Sequence, residues 1–172
     1  MSFTEKIYSK WMKETQLNKY EGIFVEFIVP AAAKLRFESA RVLDVGSGEG
    51  WFEDFLAGKG ITPRLAVGVD ASPHAQKNAL FVLSDGNSLP FANEAFDIVV
   101  SFDTIHLIQN IHELVRVVKP GGFLLISDFC NPETMEGKRA RLLKSFAGLK
   151  LLKEGVVGDE RETDYVALFM KV

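Results

Sequence analysis

Carboxylates set at intervals beside glycines are the residues of this chain best suited to chemistry. Asp44 and Glu49 bracket a turn with glycine on alternate positions, Gly46, Gly48 and Gly50, and Ser47 between the first two. Glycine serves where the backbone takes positive φ, or where a ligand approaches with no Cβ in the way. Negative charge on both sides of such a turn repels a diphosphate and favours a cationic ligand. The spacing G-x-G-x-G, followed by the bulky Trp51, also departs from the G-x-G-x-x-G of dinucleotide-binding loops. Asp70 stands 26 positions after Asp44 and closes the run Leu-Ala-Val-Gly-Val-Asp. A carboxylate at the end of a second strand can accept both hydroxyls of a ribose; the plainer alternative is a capping or surface aspartate. Asp85-Gly86-Asn87 forms either a plain Asp-Gly turn or a ligand-facing loop. His106 can act as a general base, since its intrinsic pKa is close to working pH; a hydrogen-bonded histidine packed against the sheet weighs slightly more. Cys130 with His74, His106 and His112 lacks metal-ligand spacing, so no metal site is expected.

The elements that must position these residues follow from the apolar pattern. Residues 3–36 carry Ile7, Trp11 and Met12, then Ile23, Phe24, Phe27 and Ile28, at helical spacing, which predicts two helices with Pro30 kinking or ending the second. From residue 40 onward short β-rich runs alternate with helical ones. The strands are expected at 41–45, 65–70, 80–84, 96–101 and 123–128, with helices at 51–58, 73–79 and 110–118. Ser72-Pro73 caps and starts the helix after the second strand. A further helix is expected over 132–146. Two last strands, 149–153 and 165–172, flank the polar stretch from Gly158 to Asp164, which argues for an antiparallel pair. Strands alternating with helices imply parallel βαβ units and a sheet covered on both faces.

Composition narrows the classes. A chain of 172 residues reads as one domain, residues 1–36 forming a helical cap and 40–172 an α/β core. A net charge of −3 argues against a broad nucleic-acid-binding surface. One cysteine fits a reducing, cytoplasmic setting, and no apolar stretch reaches the length of a membrane span. The N-terminus leads into no signal-like apolar core.

Taken together, Val42-Leu-Asp-Val-Gly-Ser-Gly-Glu-Gly50, Asp70, Ser84-Asp-Gly-Asn-Ser-Leu-Pro-Phe91 and Lys119-Pro-Gly-Gly122 resemble the motifs of class I S-adenosylmethionine-dependent methyltransferases. The resemblance covers roughly residues 40–172. It implies a Rossmann-like, doubly wound, mostly parallel seven-stranded sheet with an antiparallel C-terminal hairpin strand and helices on both faces. It also implies S-adenosyl-L-methionine as cofactor, with S-adenosyl-L-homocysteine as product. Asp44, Gly46, Ser47, Gly48, Ala71 and Ser101 would then be cofactor-binding, with Asp70 accepting from the ribose. Asp85 would accept from the adenine amino group, with the backbone of Gly86 or Asn87 beside the ring. The backbone of Phe102 and the residues after it, to His106, would meet the methionine part and line the methyl-transfer site. The Lys-Pro-Gly-Gly turn would be structural. Tyr8, Trp11 and Tyr20 are aromatic candidates for substrate selection by the cap, and a small, partly apolar acceptor is expected. A catalytically silent scaffold that activates a partner, a methyltransferase of a macromolecule and a nucleotide-dependent oxidoreductase are the alternatives. The last is disfavoured by the loop spacing and Trp51.

Overall fold

The computed structural model describes the backbone of residues 3–159 and 162–172, and the side chains of residues 10–159 and 162–172. A long helical segment comes first: α1 (Phe3–Ile23), a π turn (Phe24–Ile28) and α2 (Val29–Leu35). The strands are β1 (Arg41–Val45), β2 (Leu65–Asp70), β3 (Leu80–Leu83), β4 (Phe96–Ser101), β5 (Val118–Cys130), β6 (Lys150–Gly158) and β7 (Thr163–Met170). Between them run α3 (Trp51–Gly58), α4 (His112–Val117) and α5 (Met135–Ser145).

The seven strands form one sheet in the order β3-β2-β1-β4-β5-β7-β6. From β3 through β5 the neighbours are parallel, whereas β7 runs antiparallel to both β5 and β6. This is the expected Rossmann-like sheet with its C-terminal hairpin. Central strands of such a sheet have no solvated face. Accordingly Val42 through Val45 of β1 and Ile98 through Ser101 of β4 are all buried. Alternation then divides the core in two. Leu43, Val45, Val99 and Leu124 pack with Leu114 and Val117 of α4 and Leu142 of α5. Val42, Ile98, Val100 and Leu125 pack with Ile23, Phe27, Phe52 and Leu56 from the opposite face. Helices therefore cover both sides, and no helix of the described residues is long and apolar enough to cross a membrane.

Of the two expectations for Pro30, kinking or ending a helix, the second is excluded, since Pro30 stands in the first turn of α2. The π turn before it closes with Val29 N–H bonded to Phe24 O, and this wider turn absorbs a residue that has no N–H of its own. Residues 73–79 form no helix, and Ser72-Pro73 starts none. Their polar side chains bond elsewhere: Asn78 Nδ2 donates to Asp54 Oδ1 at 2.8 Å and Gln76 reaches the glycine turn. Side-chain bonds of this kind compete with the helical ladder. Finally, β5 begins five residues before Phe123, so the Lys119-Pro-Gly-Gly122 segment lies inside the strand. Gly121 takes φ +74 there, and its N–H donates to Lys171 O at 2.7 Å.

Candidate functional site

The carboxyl ends of β1, β2 and β4 converge where ligands sit in open α/β sheets. β1 stops at Val45 because Gly46, Gly48 and Gly50 all take positive φ, at 82°, 50° and 74°. The N–H groups of Gly46 and Ser47 both donate to Val69 O, at 2.8 and 3.0 Å, which ties the turn to β2. Gly46 is required by packing as well, since a Cβ there would lie 2.1 Å from Thr104 Oγ1. A Cβ on Gly48 would meet nothing within 4 Å, so the turn is open on that side.

Asp70 ends β2 with both oxygens engaged by backbone. Oδ2 accepts from Gly48 N–H at 3.0 Å and Oδ1 from Ser72 N–H at 2.9 Å, with His74 Nε2 3.7 Å from Oδ1. Each oxygen keeps a further lone pair. Gln76, which sequence reasoning missed, donates from Nε2 to Ser47 Oγ at 2.8 Å and to Gly48 O at 2.7 Å. Its Oε1 is buried with no hydrogen-bond partner.

Two cavities meet at Gly46. The smaller, of 180 Å³, is lined by Asp70, Ala71, Asp85, Gly86, Asn87 and Thr104 among others. Asn87 donates from both its N–H and Nδ2 to Asp85 Oδ1 at 2.8 Å, and these bonds hold the Asp85 carboxyl below its usual range. Asn87 Oδ1 in turn accepts from the N–H groups of Gln109 and Asn110, at 2.7 and 2.9 Å, fastening the 85–88 loop to the segment after β4. The larger cavity, of 390 Å³, is lined by Gly46, Ser47, Gly48, Glu49, Trp51, His74 and Phe102, with Met12, Gln16 and Tyr20 of α1. Phe52 packs edge to face with Tyr20 and with Phe102, and Tyr20 lies tilted against Phe102, with centroids 4.8–5.6 Å apart, and these contacts seat α1 against the end of β4.

Two groups of acids act on Tyr20 of the larger cavity. Asp44 and Glu53 are each 3% exposed, and Asp44 Oδ1 and both Glu53 oxygens find no donor. Burial and the neighbouring carboxyl hold Asp44 well above its ordinary range, and burial pushes Glu53 up to about 7. Asp44 is thus one half of a buried acid pair rather than the negative charge beside the turn that the sequence suggested. At the other side Lys19, 2% exposed, sits among three carboxylates. Its Nζ lies 2.6 Å from Glu162 and 3.3 Å from Asp164, and it also bonds Asp103. Asp103 holds positive φ of 54° and accepts from Gln16 Nε2 at 3.0 Å. Ser127 Oγ donates to Asp164 Oδ2 at 2.6 Å. Burial and the neighbouring Asp103 raise Asp164 to about 8, while the Lys19 ammonium acts to lower it. These three carboxylates are the group among the described residues close enough to share a metal ion, and the Lys19 ammonium occupies the place of one. Burial, together with Asp44, Glu53, Asp103 and Asp164, raises the Tyr20 phenol well above its ordinary value, so it stays protonated.

The other expected residues fall as follows. Ser101 Oγ donates to Val45 O at 2.8 Å and is fully buried, so its side chain stitches β4 to β1 and faces neither cavity. His106 lines neither cavity; its Nδ1 is 3.7 Å from Asp128 Oδ1, beside Lys138 and Arg141. Cys130 is buried, and burial raises its thiol. Trp11 is 39% exposed and lines neither cavity, whereas the Tyr8 side chain lies outside the described residues.

Comparison with known proteins bears on the family and the fold. A family model described as a methyltransferase domain matches residues 12–153. The phthiotriol/phenolphthiotriol dimycocerosates methyltransferase of Mycobacterium leprae (strain TN) is 30% identical over 110 residues, covering 56% of this chain and 40% of that protein. The fatty-acid O-methyltransferase of Mycolicibacterium smegmatis is 30% identical over 126 residues, covering 66% and 44%. The chain thus spans less than half the length of these curated relatives. A SAM-dependent methyltransferase structure from Aquifex aeolicus superposes with a TM-score of 0.65 at 20% identity, covering 91% of this chain and 96% of that one. With its seven-stranded sheet, its glycine turn and a family match across most of its length, this chain belongs to the class I methyltransferase domain family.

Proposed function

We propose that this chain binds S-adenosylmethionine across the two cavities and transfers its methyl group to a small-molecule acceptor. The observation that carries the reading is the pair of cavities joined at Gly46, one bordered by ribose-type and adenine-type acceptors and the other by aromatic rings. The cofactor supplies a methyl group already activated on a sulfonium. In this reading the free lone pairs of Asp70 accept from the ribose hydroxyls, and Asp85 accepts from the adenine amino group through the oxygen that Asn87 leaves unbonded. Gly48 lets the methionine part lie against the turn, where nothing stands within 4 Å of its Cβ position. Tyr20 and Phe102 exclude water from the transfer path, and the protonated Tyr20 hydroxyl is available to donate. Alignment of two reactants in a dry cavity supplies about 7–11 kcal/mol of a barrier in favourable cases, so no catalytic triad is needed. His106 has no part in this path, because it borders neither cavity. A cytoplasmic setting belongs to the same reading, supported by the single, buried cysteine.

Calorimetric titration with S-adenosylhomocysteine tests it. One site per chain is expected. Binding of NAD, with none of the homocysteine ligand, overturns the assignment.

A further inference from the structure

β2 contains a glycine that no turn requires. Gly68 lies mid-strand without positive φ, where glycine marks the close approach of another group. That group is Gln76: a Cβ on Gly68 would lie 2.3 Å from Gln76 Oε1, and a Cβ on Gly50 would lie 3.1 Å from Gln76 Cγ. Two glycines on separate elements thus leave a slot that the Gln76 side chain fills. Its amide has one orientation there, because Gly48 O can only accept and must face Nε2. Nε2 donates to Gly48 O at 2.7 Å and to Ser47 Oγ at 2.8 Å, and Ser47 Oγ donates on to Val69 O at 3.3 Å. Gly48 is held on its other side as well, where its N–H donates to Asp70 Oδ2 at 3.0 Å. Both peptides flanking Gly48 are therefore fixed, one by Gln76 and one by Asp70.

We propose that Gln76 is a positioning residue for cofactor binding, acting through Gly48 on Asp70; this rests on the cofactor reading above. Glycine has the widest choice of backbone conformations. Without the Gln76 amide, Gly48 is free to turn and to withdraw its N–H from Asp70 Oδ2. The carboxylate is then held by Ser72 N–H and the more distant His74, and its free lone pairs are no longer fixed toward the ribose. Residues 73–79 form no helix that could hold the turn instead. Gln76 itself would touch no part of the cofactor; its effect passes through the turn.

The experiment is a double-mutant cycle on the full chain, Gln76→Met and Asp70→Ala alone and together, read by calorimetric titration with S-adenosylhomocysteine. Methionine fills the slot and offers no donor. Gln76→Met is expected to weaken binding about tenfold or more beside Asp70, and less than about threefold in the Asp70→Ala background, because residues acting through one contact are not additive. A glutamine that merely held the 71–79 segment would cost the same factor in both backgrounds. Equal factors, or a loss below about tenfold beside Asp70, overturn the proposal. Gln76→Glu keeps the side-chain shape without the donor and takes the place of Gln76→Met if that variant does not fold; affinity equal to that of the parent chain in Gln76→Glu also overturns the proposal. Failure of S-adenosylhomocysteine to bind the parent chain is a separate result, and it removes the cofactor reading together with this one.

Discussion

On one side of Gly46, Asp70 and Asp85 stand at strand ends within reach of solvent and bond backbone or amide N–H groups; on the other, Asp44, Glu53 and Asp164 are buried and raised above the ordinary carboxyl range, Asp164 beside Lys19. The first arrangement costs little, because each carboxylate keeps water and a partner. The second is expensive, since burying a charge is tolerated only with pairing or protonation. A fold keeps such a group where a local field is useful. The smaller cavity thus reads as a place that recognises hydroxyl and amino groups one by one. The larger reads as a place that sets an electrostatic environment for whatever lies against Tyr20 and Phe102.

The contrast can be broken by substitution. Lys19→Met should have the largest effect, leaving Asp103, Glu162 and Asp164 without their ammonium; loss of one partner from a buried network costs about 3–5 kcal/mol. Urea denaturation measures it, and a change under about 1 kcal/mol would mean that the network does not hold α1 in place. Next comes the pH dependence of Glu53, whose pKa rises from 4.5 unfolded to about 7 folded. The unfolded chain then binds fewer protons across that interval. The contribution to stability is full below pH 4.5 and is lost as the pH rises through about 7. Glu53→Gln should remove that loss, on the order of 3 kcal/mol, so its stability should fall less between pH 5 and pH 8 than that of the parent chain. Parallel curves for the two proteins would place the titration elsewhere.

Gly48→Val probes the side of the turn that faces open space. A branched side chain at φ 50° is strained and fills the approach, so cofactor affinity should drop by about 100-fold or more in a chain that still folds. Normal affinity in a folded variant would put the ligand elsewhere. Asp70→Ala should cost an order of magnitude or somewhat more, since charge-assisted hydrogen bonds are worth roughly 1.5–3 kcal/mol. Unchanged calorimetric affinity would single out another carboxylate. His106→Ala should matter least, with turnover changed less than about threefold, because His106 faces Asp128 outside both cavities. A large loss of kcat with unchanged cofactor affinity would restore it as a base.

The strands were legible because central parallel strands are nearly continuous apolar runs, as in Val42–Val45 and Ile98–Val100. The glycine turn was legible because only glycine suits its three positive φ values. The absent helix over 73–79 was not, since its pattern is helical in isolation and is overridden by bonds from Gln76 and Asn78 to residues 24–29 positions away. Gln76 itself carried no local signal. Lys19 stands 145 positions before Asp164, and only the docking of α1 against β6 and β7 brings them together. Glu53 lies in the first turn of α3, a favourable place for an acid, and only the packing of α3 onto β1 makes it the partner of Asp44.

A crystal structure of the S-adenosylhomocysteine complex tests the central claim most directly. The account predicts both ribose hydroxyls within hydrogen-bond distance of Asp70, the adenine in the smaller cavity beside Asp85, and the thioether sulfur in the larger cavity beside Tyr20 and Phe102. A ligand that lies wholly within one cavity, or that leaves Asp70 bonded only to Gly48 and Ser72, contradicts it.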